Sequence, residues 1–512
     1  MFSRFSSSLL ALVVGFLLAA GAFAEGFESV VRPADGRTLA AEITDVDGDG
    51  RNDIVRFVSR GFPPEETRWV QVYLQDSEHR LAAVASREIA LPQPTAAYDM
   101  ADIRDTPGEE LLLLQPDGIE ILSLASPAVR RWKIETGPGT TLGAATDERG
   151  LERINLVFNR NGTGPAWIGV PTFQEFLVLS TEGEPRGRLA THGRANYFIP
   201  QNSGLSFLES DVQIYFDAPH MSVAHVDGDG ILDIVASNRH QVRVYRGRSG
   251  GGFPSQPDIT MNLGIISEED QIRGSGGVAI DVKDVDDDGL GDLVATYLGG
   301  NFSDATMETR VFMNPGDGWK LDSPDQVFRS ESTVGLDRLV DLDGDGRLEL
   351  VRGTISFSLL EFVEALLTRS VDARFAVHRL GPERRFKTRP EFSRDLDIPL
   401  SFDTFRPDGF LPVFGIDMNG DGYGDLVQSG EGDRVEVSYG GPAHAFEDTN
   451  VSFEMDTRGL LRIADWDGDG LMDLLVYDPR DPEATLRLAV NRGPIETPKK
   501  TSRSTRLKRR KP

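Results

Sequence analysis

Short apolar runs recur along the chain, and each follows an acidic segment that contains glycine. Examples are DIVRFV, DIVAS and DLVATY. A second run usually comes next, and its apolar and polar residues alternate, as in Val242 and Val244 against Arg243. A period of two predicts β-strands, so we expect pairs of strands joined by turns. Helical periodicity is scarce, and its main example is SLLEFVEALLTRS at 358–370, a candidate helix.

The acidic segments are copies of one nine-residue pattern, and they divide the chain into repeats. Six copies are clear: DVDGDGRND, HVDGDGILD, DVDDDGLGD, DLDGDGRLE, DMNGDGYGD and DWDGDGLMD. Two worn copies fit the same register, DIRDTPGEE from Asp102 and DERGLERIN from Asp147. Their spacing indicates a unit of about 55 residues, with insertions in the units that span 147–224 and 341–416. The first positions of the eight copies are 45, 102, 147, 225, 284, 341, 417 and 465.

Eight units of acidic loop, strand, turn and strand predict an all-β fold. We expect a β-propeller of eight four-stranded blades over 25–495, because radial repetition leaves only short sheet edges exposed. Seven blades are the alternative if one worn unit is an insertion. A β-solenoid or two smaller propellers are further alternatives.

The acidic pattern has the chemistry of a site for a hard cation. Asp or Asn at positions 1, 3 and 5 would supply side-chain oxygens, Gly at position 6 permits a sharp turn, and position 7 would add its backbone carbonyl. An EF-hand needs an acid at position 12, where this chain has residues such as Arg56 and Ala236; its closing acid is at position 9 instead. A flexible cage of six or seven oxygens favours calcium over magnesium, so we predict about six Ca²⁺ sites.

The predicted ligands belong to the six clear copies, position 7 through its carbonyl. They are Asp45, Asp47, Asp49, Arg51 and Asp53; Asp227, Asp229, Ile231 and Asp233; Asp284, Asp286, Asp288, Leu290 and Asp292; Asp341, Asp343, Asp345, Arg347 and Glu349; Asp417, Asn419, Asp421, Tyr423 and Asp425; and Asp465, Asp467, Asp469, Leu471 and Asp473. His225 replaces the first acid of its loop, which predicts a weaker site there. The worn loops at Asp102 and Asp147 are expected to be empty.

The nine-residue loops, with hairpins such as VRVYRGRSGGGF after them, resemble the FG-GAP/VCBS repeats of integrin α-chain propellers and of many exported bacterial proteins. The resemblance covers nearly all of 25–495. It implies a propeller with one calcium ion per loop.

The two ends of the chain differ from its middle. Residues 1–24 are typical of a signal peptide, with Arg4, an apolar stretch and Ala22-Phe23-Ala24 as the cleavage motif, so we expect export to the periplasm or the medium. No later run is long enough to span a membrane. Residues 496–512 form a basic tail that is expected to be disordered, or alternatively to contact an anionic surface; without interleaved aromatic residues it gives no reason to expect nucleic acid.

Composition narrows the chemistry further. The 512 residues include 54 Lys and Arg against 81 Asp and Glu, a formal charge of −27, which bound calcium would partly cancel. The absence of cysteine excludes disulfides, thiolate zinc sites and cysteine nucleophiles. No catalytic motif is present, and His220, His225 and His240, which cluster in one unit, are more simply read as structural.

Function is expected on the inserted loops, around 159–210 and 355–400. The second insertion carries a basic patch (Arg379, Arg384, Arg385, Lys387 and Arg389), which is either a solvated face or a docking surface for an acidic partner. We therefore expect a binding or scaffold module for a protein or a polysaccharide, with structural calcium. The alternative is a polysaccharide lyase or hydrolase on the same fold.

Overall fold

The structure, a computed structural model, describes residues 23–493 apart from 25, 33–34, 63–64, 93, 138, 140–150, 161–164, 192–193, 199–212, 274, 301–304, 332, 357–367, 402–405, 444–445, 447–448 and 482–484. Within these residues it contains 37 strands and one short helix. The predicted signal peptide up to residue 22, the basic tail and most of the candidate helix at 358–370 lie outside the described residues.

Eight antiparallel sheets follow one another along the chain, and each forms one blade. The chain first enters β1 (Phe23–Ala24) and β2 (Phe27–Arg32), which belong to the last blade. Blade 1 contains β3 (Arg37–Thr44), β4 (Asp53–Arg60), β5 (Thr67–Tyr73) and β6 (Arg87–Ala90). Blade 2 contains β7 (Ala97–Ala101), β8 (Glu110–Gln115), β9 (Gly118–Ser123) and β10 (Arg130–Glu135), with β11 (Glu152–Arg153) parallel to β7. Blade 3 contains β12 (Val157–Phe158), β13 (Trp167–Pro171), β14 (Glu175–Ser180) and β15 (Pro185–Ala190).

The second half of the ring repeats this order. After a two-stranded sheet of β16 (Arg194–Phe198) and β17 (Gln213–Asp217), blade 4 contains β18 (His220–Ala224), β19 (Asp233–Ser237), β20 (Gln241–Tyr245) and β21 (Ile259–Asn262). Helix α1 (Glu268–Arg273) leads to blade 5, which contains β22 (Gly277–Lys283), β23 (Asp292–Gly299), β24 (Thr306–Phe312) and β25 (Gln326–Glu331). Blade 6 contains β26 (Thr333–Val340), β27 (Glu349–Ser356), β28 (Ser370–His378), β29 (Phe392–Ser401) and β30 (Arg406–Pro407). Blade 7 contains β31 (Val413–Ile416), β32 (Asp425–Gly430), β33 (Arg434–Ser438) and β34 (Val451–Glu454). Blade 8 contains β35 (Leu460–Ala464), β36 (Asp473–Tyr477) and β37 (Leu486–Asn491), completed by β2 and β1.

The core consists of eight apolar clusters, one between each pair of neighbouring blades. Successive residues of a strand point to opposite faces of its sheet, so they enter different clusters. On β8, Leu111 packs in the cluster shared with blade 1, whereas Leu112 packs in the cluster shared with blade 3. Both faces of a blade are therefore buried, which explains why the second strands are apolar at nearly every position. The prediction of an eight-bladed, all-β propeller is confirmed.

The ring closes between the two ends of the described chain. Strand β2 pairs with β37 from Phe27 opposite Asn491 to Arg32 opposite Leu486, so an N-terminal strand completes the last blade. Across the closure, Ala41 and Ile54 of blade 1 pack in one cluster with Trp466 and Leu475 of blade 8. Among the described residues, no helix is long and apolar enough to cross a membrane.

The first prediction concerns this closure. Phe27 is 4% exposed and stacks on Phe453 of blade 7, with ring centroids 4.4 Å apart. Replacing a buried phenylalanine with alanine costs about 3–5 kcal/mol, so Phe27→Ala should lower the free energy of unfolding by that order, measured by urea denaturation. Phe62→Ala is the control, because Phe62 is 87% exposed. Equal effects of the two substitutions would show that β2 does not hold the ring closed.

Candidate metal sites in the blade loops

The six clear acidic loops lie on one face of the ring. Each joins the first and second strands of its blade, in blades 1, 4, 5, 6, 7 and 8. Since the strands of a blade alternate in direction, connections between third and fourth strands reach the same face. Connections between second and third strands, and between blades, reach the opposite face. We call these the loop face and the opposite face.

The acid at position 9 is the first residue of the second strand in all six blades, and it is buried. In blade 8, Asp473 accepts hydrogen bonds from the backbone N–H of Trp466 at 2.7 Å and of Asn491 at 2.6 Å. It therefore joins the loop to the end of the third strand. Blades 1, 4, 5 and 7 repeat this pair of bonds through Asp53, Asp233, Asp292 and Asp425.

The worn loop of blade 2 keeps this acid, although Arg104 and Thr106 replace the acids at positions 3 and 5. Glu110 is fully buried, and its Oε2 accepts the N–H groups of Ile103 at 3.0 Å and Arg104 at 3.1 Å. Thr106 donates its hydroxyl to the other oxygen. The position-9 acid thus has a structural role that does not require a metal.

Neighbouring loops are hydrogen-bonded to each other across the blade interfaces. The N–H of Glu109 in blade 2 donates to the carbonyl of Asp45 in blade 1 at 2.8 Å, and the N–H of Gly291 in blade 5 donates to the carbonyl of His225 in blade 4 at 2.8 Å. At the ring closure, the Asn52 side chain donates to the carbonyl of Asp465 at 2.6 Å. These bonds connect the loops into a belt along the loop face.

The acid at position 5 holds the backbone in all six loops, and the acid at position 1 does so in the five loops that begin with an aspartate. The Asp45 carboxylate accepts the N–H groups of Gly48 at 2.7 Å and Gly50 at 2.9 Å, and both glycines have a positive φ that permits the turn. Asp49 accepts the N–H of Arg51 at 2.9 Å, and the position-5 acid makes the same bond in all six loops. These bonds shape the loop and leave lone pairs for a cation.

The acid at position 3 differs in blades 1 and 8, because one of its oxygens has no hydrogen-bond partner. Oδ1 of Asp47 and Oδ1 of Asp467 are buried and accept no hydrogen bond. A buried carboxylate oxygen without a donor is costly, and a cation would remove that cost. The residues present therefore fit a hard cation with oxygen ligands, as predicted for calcium.

Four loops bring three acids into coordinating distance. In each, one oxygen from every acid lies within 4.8 Å of the others. The four groups are Asp45, Asp47 and Asp53; Asp284, Asp286 and Asp288; Asp341, Asp343 and Glu349; and Asp465, Asp467 and Asp473. The sequence pattern therefore identifies side chains that the fold does bring together.

The other two loops depart from this arrangement at the substituted positions. In blade 4, Nδ1 of His225 lies 3.1 Å from the carbonyl oxygen of Ile231, which is one of the predicted ligands. In blade 7, the Asn419 amide donates to Asp421 at 3.0 Å. A weaker site at His225 stays a prediction. His220 and His225 stand at opposite ends of β18, about 16 Å of strand apart, which argues against a shared catalytic role.

The third blade shows an error in the predicted register. The segment expected to follow the Asp147 loop as a second strand is β12, the first strand of blade 3, and residues 140–150 lie outside the described residues. The connection from β12 to β13 instead has the sequence NRNGTGPA from Asn159, so Trp167, which begins β13, takes position 9. Asn159 follows Asp102 at the same spacing as Asp102 follows Asp45. That spacing, with Asn-x-Asn-x-Thr-Gly in place of Asp-x-Asp-x-Asp-Gly, was the signal for the correct register.

The predicted insertions contribute to both faces of the ring. Much of 355–400 consists of strands of blade 6, and its connection from β28 to β29 lies on the loop face. The basic patch there is mostly used within the chain. Arg379 contacts Asp343 at 2.6 Å, Arg384 contacts Asp288 at 2.8 Å, and Lys387 pairs with Glu391. Only Arg385 and Arg389 of the patch are exposed without a described ion pair, so it is a poor docking surface for an acidic partner.

The buried acids also set the electrostatics of the loop face. Burial raises the pKa of the position-9 carboxyl groups, and so do the acidic neighbours in their loops. The backbone hydrogen bonds lower it, but by less. The pKa reaches about 7 for Asp53, Asp292, Glu349 and Asp473, and about 6 for Asp425. Without a cation, these groups hold protons near neutral pH.

The second prediction is a pH dependence of stability in the presence of a chelator. The ordinary pKa of these aspartates is 3.8, so between about pH 4 and pH 7 the folded chain binds more protons than the unfolded chain. Stability must then fall as pH rises through this window, and Tm should be higher at pH 5 than at pH 8. Hydrogen bonds from Ser275 and Tyr297 lower the pKa of Asp270 to about 2. The contribution of Asp270 to stability is therefore lost only below this pH window. A Tm that rises from pH 5 to pH 8 at constant ionic strength would contradict the prediction.

The opposite face has a cleft on blade 8, lined by acids that are already paired. Burial acts to raise the pKa of Asp456, but the hydrogen bonds and charge of Arg458 and the charge of Arg487 lower it overall. Asp478 is bonded to Arg480 at 3.0 Å. A carboxylate held ionised as Asp456 is makes a poor general acid for glycoside hydrolysis.

Part of the chain matches a known family of repeats. Residues 225–295, which contain the loops of blades 4 and 5, match the family model described as an FG-GAP-like repeat. No curated protein matches the chain.

Among solved structures, the exotype rhamnogalacturonan lyase YesX is 13% identical with a TM-score of 0.35, and the match covers 91% of this chain and 73% of that one. Sqt1 from Chaetomium thermophilum is 11% identical with a TM-score of 0.39, with coverages of 89% and 96%. We draw no argument about activity from similarities of this degree. The chain is therefore an eight-bladed β-propeller in which blades 4 and 5 contain an FG-GAP-like repeat.

Proposed function

We propose that the protein is an exported, calcium-stabilised β-propeller that acts as a binding or scaffold module for a protein or a polysaccharide. The observation that carries the calcium part is the group of position-3 oxygens, such as Oδ1 of Asp467, that are buried without a hydrogen-bond donor between other acids. A divalent cation would satisfy these oxygens and reverse the repulsion between carboxylates that lie a few ångströms apart.

Calcium has a structural role in this proposal. Each loop begins at the end of a blade's first strand and ends in the buried acid that starts the second strand. The loops are also bonded to their neighbours in the belt. An ion in one loop would therefore stabilise its own blade and the adjacent interfaces. The export that we expect from residues 1–24 would place the protein where calcium is abundant.

The opposite face is the better candidate for binding a partner. The loop face is occupied by acidic loops, by their hydrogen bonds and by the arginines that contact them. The sheet of β16 and β17 and the helix α1 are both inserted between blades, in connections that reach the opposite face. Loops on a rigid scaffold are where binding residues concentrate, and variation there leaves the belt unchanged.

The third prediction is that calcium removal destabilises the protein. The purified protein should contain several calcium ions per chain, measured by atomic emission, and a chelator should lower its Tm by several degrees, measured by calorimetry. Magnesium at the same concentration should restore less of the Tm, because a cage of protein oxygens suits the larger ion. A Tm unaffected by the chelator, in a protein that contains no calcium, would refute the calcium proposal.

The fourth prediction separates a binding module from an enzyme. In the presence of calcium, the protein should not shorten acidic or neutral polysaccharides, whether or not it binds them. The length of the polysaccharides is measured by chromatography. Shortening of a polysaccharide by the purified protein would refute a purely binding role and favour a lyase or hydrolase.

A further inference from the structure

Three acidic loops contact an arginine from the end of the third strand of their own blade. By strand register Arg246 and Arg379 are equivalent, whereas Arg492 lies two residues further along its strand. In blades 4, 6 and 8 the residue directly after the third strand is an arginine, and its guanidinium meets Oδ2 of the position-3 aspartate. The pairs are Arg246 with Asp227 at 3.1 Å, Arg379 with Asp343 at 2.6 Å, and Arg492 with Asp467.

Blades 5 and 7 show what happens when this arginine is missing. In blade 5 the equivalent residue is Met313, and the position-3 acid, Asp286, is instead contacted by Arg384 from the long connection of blade 6. In blade 7 the equivalent residue is Tyr439, and position 3 is the neutral Asn419. Throughout the described residues, an arginine contacts position 3 in these five blades only where that position carries a charge.

In blade 8, the two carboxylate oxygens of the position-3 aspartate have different environments. Oδ2 of Asp467 is held by Arg492, while Oδ1 of the same carboxylate is buried without a hydrogen-bond partner. Arg492 also contacts Glu28 of β2 at 3.0 Å, so one side chain connects the loop to the strand that closes the ring. The arginine fixes the orientation of the carboxylate and leaves its other oxygen available.

We propose that Arg246, Arg379 and Arg492 are internal counter-charges of the calcium loops. Each stabilises its loop when no ion is bound and positions the aspartate so that Oδ1 can coordinate one. The guanidinium stays charged at every relevant pH, so its effect is permanent. Its charge also repels the ion, so these loops keep their fold at low calcium and bind the ion less tightly than they would without the arginine. The inference rests on the proposed calcium binding.

The fifth prediction tests this with Arg492→Met, compared with the unchanged protein in calcium and in chelator. Without the guanidinium, no positive charge opposes the repulsion between Asp467 and its acidic neighbours. Bound calcium would supply that charge. In chelator the Tm should fall by about 2 °C, and in saturating calcium by clearly less, so the increase in Tm caused by calcium becomes larger. Arg492→Lys keeps the charge and should lie close to the unchanged protein in both conditions.

Arg480→Met is the matched control, because Arg480 also pairs with an aspartate in blade 8 but on the opposite face. It should leave the calcium-dependent change in Tm as it was. Arg379→Met repeats the test in blade 6, away from Glu28 and the ring closure. If calcium raises the Tm of the unchanged protein, an equal fall of Tm in calcium and in chelator for both loop variants would overturn the proposal. The absence of any fall in chelator would overturn it in every case.

A double substitution separates this inference from the calcium proposal. Asp467→Asn with Arg492→Met imitates the neutral pair of blade 7, so in chelator it should be more stable than the sum of the single effects implies. Additive effects would overturn the counter-charge even if calcium stabilises the protein. A less-than-additive result in a protein that does not respond to calcium would support the counter-charge and refute calcium binding.

Discussion

The buried carboxylate at position 9 is the contact on which the blades with acidic loops depend. In blades 1, 4, 5, 7 and 8 it accepts hydrogen bonds from two backbone N–H groups, one in the loop and one at or just beyond the end of the third strand, as Asp473 does with Trp466 and Asn491. A buried backbone N–H without a partner is costly, so this acid satisfies two groups that the strands themselves cannot pair. Glu110 of blade 2, whose loop has lost the predicted ligands at positions 3 and 5, also accepts two backbone N–H groups, both from its own loop. The position-9 acid is therefore required to fold the loop whether or not an ion is bound.

The packing of the blades explains why the repeat is visible in the sequence at all. Each blade is buried on both faces, so its second strand must be apolar at successive positions, as Leu111 and Leu112 are. The loop must then turn the chain sharply at a fixed distance from that strand, because the hydrogen bonds of the belt join neighbouring loops across blade interfaces. Two constraints at a fixed separation, an acidic turn and an apolar strand, produce a repeat that survives changes elsewhere.

The same constraints show which features the sequence could and could not predict. The fold, the six loops and the grouping of their acids follow from local pattern and repetition. Blade 3 was placed in the wrong register, because Asn159 and Trp167 preserve the spacing but not the charge of the pattern. Helix α1 has fewer than two turns, so its sequence shows no helical periodicity. Its start is marked by Ser267, whose hydroxyl accepts the N–H of Asp270 at 3.1 Å. The contacts of Arg384 with blade 5 join residues far apart in sequence, and no local pattern reveals them.

These contacts explain how the fold tolerates the large negative charge of the chain. Much of the excess acid is concentrated in loops on one face, where like charges destabilise the fold unless something opposes them. Three means of opposing them are available: protons on the position-9 acids when no cation is bound, arginines at the position-3 acids, and cations in the proposed sites. Protons and cations come from the solvent and change with it, whereas an arginine is a permanent part of the chain. A ring that relied on calcium alone would lose every loop at once when calcium is removed. Because the loops of blades 4, 6 and 8 have their own arginines and blade 5 receives one from its neighbour, loss of calcium should loosen the belt unevenly and leave the ring closed.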